Sequence, residues 1–251
     1  PASPKRLIAG LSDLAYSPQG SICDIIDNSI SHGKASKIFV LFEFIEEIQQ
    51  FELLIYDNGI SMDFEGLQNA MKLGSSDEYK DPDANLGKYG MGLKTASLAY
   101  SDSFSLLAKH KGNDPGLIEM NKELIKEKDK WIYNSVTGNE LDQEITKSQN
   151  YLRSVFSNFT FFPKNGSYTL LKWNQINGLN QKAANYKRPS AKEKWITGLI
   201  CEVESHIRMV FNRFIDGKRG LKKIEINYNG IKLKGWDPCQ PNLKGTSVFK
   251  I

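Results

Sequence analysis

Two polar side chains one helical turn apart interrupt an apolar segment near the start of the chain. Asp24 and Asn28 lie within DIIDNSI, whose isoleucines favour a buried helix face. In a helix, residues i and i+4 project toward the same region. A carboxylate beside a carboxamide oxygen suits a site in which one group holds Mg²⁺ and the other orients a water molecule. The alternative is a pair on a solvated helix face, and the motif alone does not decide between them.

A second polar patch is YDNGISM, in which Asp57 ends an apolar run and Gly59 follows in a turn. A carboxylate at this point could accept a hydrogen bond from an exocyclic amine, and a glycine lets the backbone approach a flat ring. An ordinary Asp-Asn-Gly turn is the alternative interpretation.

The third patch is LGKYGMGLKTAS, a glycine-rich stretch that leads into a predicted helix. Gly87, Gly90 and Gly92 precede the helix, and backbone N–H groups at such a position form a cradle for anions. The stretch is not a Walker A loop, because GxxxxGK[ST] is absent, and it does not follow a strand in a βαβ unit, so the dinucleotide fingerprint fails as well. It therefore indicates a phosphate-binding lid of another architecture.

Helices and strands alternate along the chain in a way that could position these patches. Hydrophobic periodicity predicts helices over 21–31, 64–73, 93–100 and 195–214, strands over 37–44, 50–57, 103–110 and 168–173, and a hairpin over 222–236. The pattern over 111–158 is weak apart from one charged, solvated helix face, and the basic stretch 181–194 is interpreted as a mobile linker. Because the strands come mainly as hairpins, we expect an α+β fold, a two-layer α/β sandwich with a mixed, mostly antiparallel sheet and helices on one face.

Composition excludes several classes of protein. The 251 residues carry 33 Lys and Arg against 29 Asp and Glu, and this net charge of +4 permits an anionic partner without requiring one. The sequence has no apolar run of the ~18 to 20 residues that cross a bilayer and no secretory signal, so no membrane association and a cytoplasmic location are expected. The three cysteines and three histidines lack metal-binding spacings, so no metal site made of protein ligands alone is predicted.

The order of the three patches resembles the Bergerat ATP-binding fold of the GHKL superfamily, and is most similar in appearance to MORC-like prokaryotic ATPases. The likeness extends to YTLLKW and INYNGIKLKGWDP later in the chain. It implies a single GHKL ATPase domain over 1–251, with a nucleotide-binding core at 1–180 and an extension comprising a helix and a β-hairpin at 181–251, as part of a longer protein. The cofactors that it implies are ATP and Mg²⁺.

The resemblance also implies a role for particular residues. Asp24 matches the general base, Asn28 the Mg²⁺ ligand, Asp57 and Gly59 the adenine-reading acid and its glycine, and Thr169 the threonine beside the adenine. The remaining nucleotide contacts implied are Met62, Gly87, Lys88, Tyr89, Gly90, Met91, Gly92, Leu93 and Lys94. For Lys88 and Lys94, a solvated-surface role is the alternative.

Two positions depart from the family pattern. The base is commonly glutamate, and Asp24 is one methylene shorter, so either the water molecule lies closer to the helix or the reach of Asp24 falls short by ~1 Å, a misplacement that can slow catalysis ~100-fold. The family's DxGxG motif has serine at its second glycine here, at Ser61. Slow hydrolysis and an altered backbone beside the adenine are therefore expected.

The resemblance implies Mg-dependent ATP binding and slow hydrolysis, used to drive lid closure, conformational change or ATP-dependent homodimerisation of a larger machine. A non-hydrolysing, ATP-gated switch is the alternative. A histidine kinase domain is disfavoured, because it needs no water-activating acid four residues before the asparagine. DNA is a candidate partner through basic residues, and a downstream transducer domain or partner protein is expected to supply a lysine to the γ-phosphate. The basic residues proposed to contact DNA are Lys187, Arg188, Arg213, Lys218, Arg219, Lys222 and Lys223, and a soluble basic face is the alternative.

Overall fold

A computed structural model describes residues 3–12, 17–72, 92–218 and 220–239. Its helices are α1 (Pro4–Ser12), α2 (Pro18–Ser31), α3 (Phe64–Met71), α4 (Gly92–Tyr100), α5 (Lys122–Lys128), α6 (Gly138–Val155), α7 (Asn177–Ala184), α8 (Pro189–Val210) and α9 (Asn212–Asp216). Its strands are β1 (Lys37–Ile45), β2 (Gln50–Asp57), β3 (Ser103–Lys109), β4 (Gly116–Asn121), β5 (Asn134–Val136), β6 (Tyr168–Asn174), β7 (Glu225–Tyr228) and β8 (Ile231–Lys232).

The described strands form one sheet in the order β5-β4-β3-β6-β2-β1-β7-β8. Neighbouring strands pair antiparallel except β1 and β7, which run parallel. The prediction of a mixed, mostly antiparallel sheet in an α+β fold is confirmed. The register places Thr169 of β6 directly opposite Asp57 of β2.

Alternate residues of the strands are buried on opposite faces of the sheet, as the period of two requires. On one face Val40 and Ile55 join the main core with α2, α3, α4, α7 and α8. On the other, Phe39 and Tyr56 pack with α6 and the aromatic residues that follow it. The predicted layer of helices lies on the first of these faces. Helix α6 covers part of the second face, which was not predicted from the sequence.

The predicted Asn-Gly turn near the C-terminus is confirmed between β7 and β8. Asn229 and Gly230 both have positive φ, 45° and 84°, as a two-residue hairpin turn of this kind needs. The Asn229 side chain then bonds β1, accepting from the Phe42 amide and donating to the Phe42 carbonyl, each at 2.8 Å. This turn therefore fixes the hairpin against the sheet.

Two sequence expectations are wrong. The stretch 181–194 is not a linker, because α7 continues to Ala184 and α8 begins at Pro189. Within 111–158 the structure has β4, β5 and α6 besides the short charged helix α5. The boundary at residue 180 stays a prediction, although α8 packs on α2 and β7 extends the same sheet. Within the described ranges, no helix combines the length and apolar character needed to span a bilayer.

Candidate nucleotide site

Asp57 is a buried carboxylate at the end of β2, with only 4% of its surface exposed. Ser29 of α2 donates to one carboxylate oxygen and the Gly59 amide donates to the other, each at 2.8 Å. Burial raises the pKa of Asp57 to about 6, and these two hydrogen bonds oppose the rise. At neutral pH the group is therefore an ionised acceptor held in a fixed orientation, which suits a ligand that offers a hydrogen-bond donor.

Gly59 allows the loop after β2 to lie against the end of α2. The Ile60 amide donates to the Gly33 carbonyl at 2.7 Å. A Cβ atom on Gly59 would lie 2.3 Å from that same carbonyl oxygen, closer than any side chain tolerates. The close approach of two backbone segments thus requires glycine here.

Thr169 and Ser61 form a hydroxyl pair beside Asp57. The Ser61 hydroxyl donates to the Tyr168 carbonyl at 2.7 Å, and the Thr169 hydroxyl donates to Ser61 Oγ at 3.1 Å. Ser61 has a φ of 55°, in the left-handed region that favours glycine. The serine therefore adopts a backbone conformation suited to the glycine of the family pattern and adds a hydroxyl to this edge of the site.

The rest of this loop is also tied down. The Asn58 side chain accepts from the amides of Ser36 and Lys37, at 3.0 and 2.8 Å. His110 Nδ1 lies 2.9 Å from the Ile60 carbonyl oxygen. Met62, half-buried, packs against the main core. These contacts hold the loop that connects β2 to α3 in one conformation.

Helix α2 carries the first sequence motif. Pro18 stands in its first turn, and the Ser17 side chain caps it by accepting from the Gly20 amide. Ile22 and Ile26 are fully buried, whereas Asp24 is exposed and Asn28 is half-buried. Loss of hydration and the nearby Asp27 raise the pKa of Asp24. The helix therefore buries Ile22 and Ile26, as their spacing predicted, and leaves both polar residues accessible.

Asn28 lies close to the start of α4, where the glycine-rich stretch ends. A Cβ atom built on Gly92 would lie 3.9 Å from Asn28 Nδ2, within van der Waals contact of the carboxamide. The structure thus brings the first and third motifs together at Gly92. The other candidates in this stretch, Gly87, Lys88, Tyr89, Gly90 and Met91, lie outside the described residues.

Lys94 is buried, with 2% of its surface exposed, so the solvated-surface alternative is wrong for it. Its Nζ donates to the Ala70 carbonyl at the end of α3, at 2.7 Å, and burial lowers its pKa to about 8. The ammonium thus satisfies a carbonyl at a helix C-terminus. Leu93 is half-buried against the main core. A phosphate contact by Lys94 stays a prediction that requires the side chain to leave Ala70.

The donor groups fit a triphosphate with magnesium better than a metal held by protein alone. No cluster of three His, Cys, Asp or Glu side chains able to hold a metal ion occurs among the described residues. Asn28 offers one hard oxygen, and phosphate oxygens and water are the usual remaining ligands of Mg²⁺. Asp57 and Thr169 offer acceptors beside the same end of α2, since Asp57 accepts from Ser29, the residue that follows Asn28.

Sequence reasoning missed two residues of this site. Ser29, which orients Asp57, directly follows Asn28 and had no motif of its own. Gly33 provides the carbonyl that contacts the Gly59 loop. The recurrence of small residues at the end of a helix that carries a candidate metal ligand is the signal that could have identified both.

Residues 16–151, more than half of the chain, match the family of histidine kinase-, DNA gyrase B- and HSP90-like ATPases, and the chain belongs to this family. The fold is accordingly that of an ATPase domain of this family. The chain is similar to ATPase MORC2B of Mus musculus, with 32% identity over 91 residues, and to Protein MICRORCHIDIA 6 of Arabidopsis thaliana, with 27% identity over 96 residues. These alignments cover 36% and 38% of this chain but only 9% and 14% of the two relatives. The resemblance to GHKL and MORC ATPases is confirmed.

Proposed function

We propose that this domain binds ATP with Mg²⁺ and hydrolyses it slowly. The adenine ring would lie against Asp57, and the phosphates would lie beside Asn28 and Gly92. The observation that carries the proposal is the buried Asp57 carboxylate, oriented by Ser29 of the helix that presents Asn28. An ionised carboxylate without a cationic partner is expensive to bury. A ligand that donates a hydrogen bond to it explains why the fold retains it.

On the base side, Asp57 accepts a hydrogen bond from the exocyclic amine of adenine. Gly59 lets the backbone approach the ring, and Met62 and Thr169 border it. Three elements, β2, β6 and the loop after β2, place these groups, so the geometry depends on sheet register and not on side-chain flexibility. Such preorganisation favours tight and selective binding.

On the phosphate side, Asn28 would hold Mg²⁺, which neutralises phosphate charge and polarises the γ-phosphate when bound. Asp24, one turn earlier, takes a proton from the attacking water. The raised pKa of Asp24 is closer to the pKa of an effective general base than that of an ordinary aspartate. Its short side chain limits its reach, so turnover is slow.

We further propose that nucleotide binding drives closure of the glycine-rich stretch, conformational change or homodimerisation. The support for these steps is the family resemblance. The same proposal includes a downstream transducer domain or partner that adds a lysine at the γ-phosphate. It also includes a DNA partner bound through exposed basic residues such as Lys187 and Arg188. Binding of labelled duplex DNA that is absent even at low salt would remove the DNA partner from it.

A non-hydrolysing switch is the second candidate, and the exposure of the short Asp24 side chain favours it. Phosphate release by the unsubstituted chain and by Asp24→Ala distinguishes the two. Hydrolysis predicts slow release that Asp24→Ala abolishes while binding survives. Release that is absent from the unsubstituted chain under all Mg²⁺ and salt conditions would favour the switch.

Calorimetric titration with a non-hydrolysable ATP analogue tests the binding proposal itself. We expect saturable binding that strengthens with Mg²⁺, and Asn28→Ala should remove that Mg²⁺ dependence. Asp57→Asn should abolish detectable binding with or without the metal, because a carboxamide N–H cannot accept from the adenine amine. Unchanged affinity in Asp57→Asn would contradict the base-side assignment.

A further inference from the structure

Ser61 occupies a backbone conformation that disfavours residues with a Cβ atom, at a φ of 55°. Strained residues of this kind persist where the surrounding structure fixes them and where they serve a site. Here the Ser61 side chain makes two hydrogen bonds, with the Tyr168 carbonyl and with the Thr169 hydroxyl. The serine is therefore held by contacts that a glycine could not make.

The direction of these two hydrogen bonds is fixed by chemistry. A carbonyl oxygen only accepts, so the Ser61 hydroxyl must donate its one proton to Tyr168, at 2.7 Å. Ser61 Oγ can then only accept from Thr169, at 3.1 Å. The Thr169 proton is consequently engaged, and its oxygen presents only lone pairs to a ligand.

Thr169 lies directly opposite Asp57 across the β2–β6 ladder. Directly opposed residues of an antiparallel pair point to the same face with Cβ atoms about 5 Å apart. Asp57, when ionised, is also an acceptor only. The two groups thus present a row of acceptors with no donor among them.

We propose that Ser61 is a positioning residue that holds the Thr169 hydroxyl as an acceptor, and so makes the site select purines with a 6-amino group over purines with a 6-oxo group. This inference rests on the proposed ATP function. The 6-amino group offers two N–H donors to the acceptor row. A 6-oxo group places a third acceptor against it, and buried acceptors without donors are unfavourable.

The test compares the affinities of ATP and inosine triphosphate, which differ at the 6-position and in the proton that N1 carries only in the 6-oxo purine, by calorimetry on the unsubstituted chain and on Ser61→Ala. In Ser61→Ala the Thr169 hydroxyl is free to rotate and donate to the 6-oxo group. We expect the preference for ATP to fall about tenfold, chiefly through tighter binding of inosine triphosphate. A purely structural role for Ser61 would weaken both nucleotides alike and leave their ratio unchanged.

Two further variants keep the result interpretable. Ser61→Gly removes the hydroxyl and relieves the backbone, so it should fold at least as well and show the same loss of preference. In a Thr169→Val background, Ser61→Ala should leave the ratio unchanged, because there is no hydroxyl to reorient. ATP binding with an unaltered ratio in Ser61→Ala and Ser61→Gly would overturn the inference alone. An unsubstituted chain that binds neither nucleotide would overturn the proposed function and this inference with it.

Discussion

Replacing Asp57 by asparagine should stabilise the folded domain near neutral pH while removing nucleotide binding. The carboxamide has nearly the shape of the carboxylate and can keep both neighbours. Its oxygen accepts from the Gly59 amide, and its N–H donates to Ser29 Oγ once that hydroxyl turns. The variant loses only the negative charge and one of the two acceptor oxygens of the carboxylate.

The size of the effect follows from the pKa of Asp57, which burial raises from 3.8 to about 6. A difference of about two pKa units corresponds to roughly 3 kcal/mol of free energy. Because the folded state binds the proton more tightly, stability from this group is greatest below pH 3.8. It is lost as the pH rises through the window up to about 6, and it stays lost above that pH. The free energy of unfolding of Asp57→Asn, relative to that of the unsubstituted chain, should thus rise by ~2 kcal/mol between pH 4 and pH 7.5.

Urea unfolding followed by circular dichroism at pH 4 and pH 7.5 measures this gain. Asp114→Asn, at an exposed carboxylate, is the matched control for loss of a charge. Calorimetry on the same samples should show that Asp57→Asn no longer binds the ATP analogue, and that the unsubstituted chain loses affinity below pH 6. A variant that is destabilised equally at both pH values, or that still binds the nucleotide, would refute the reasoning.

Two other substitutions test the contacts around the site. Gly59→Ala places a methyl group 2.3 Å from the Gly33 carbonyl oxygen. We therefore expect the free energy of unfolding, measured in urea, to fall by ~3 kcal/mol or more, together with loss of ATP binding. A stable variant that still binds ATP would show that the loop is not confined as described. Lys94→Met removes a buried ammonium whose pKa burial lowers to about 8. The unsubstituted chain should gain ~1 to 2 kcal/mol of stability as the pH rises from 8 to 10, since the unfolded lysine keeps its proton longer, and the methionine variant should lack that part of the gain. Identical pH profiles for the two chains would contradict the burial of this charge.

The elements near the site could be predicted from the sequence because each has a strong local pattern. β2 ends at Asp57 as expected, and α2 buries the isoleucines that its spacing predicted. The missed helix α6 has its own pattern, because Leu141, Ile145 and Leu152 are separated by four and seven residues and so share one face of the helix. Its polar composition outweighed that signal, because only a narrow stripe of the helix is buried.

Contacts between distant segments could not be predicted from spacing. The pairing of Asp57 with Thr169 depends on sheet register, which local periodicity leaves open. The start of α8 was missed because its first turn is basic, although Pro189 at this point is a common helix start. The Lys192 ammonium lies over the Phe44 ring, with Nζ 4.6 Å from the ring centroid, so a cation–π contact holds this part of the basic stretch against the sheet.

The parallel pairing of β7 with β1 has a practical consequence for anyone shortening this chain. The segment that matches the family ends at residue 151, before β6, α8 and β7. A fragment cut at residue 151, or at 180, would lack β7 and leave one long side of β1 without backbone partners. Unpaired strand edges recruit other chains, so such fragments should aggregate, whereas proteolytic trimming that spares residues up to 233 should leave a soluble, cooperative unit.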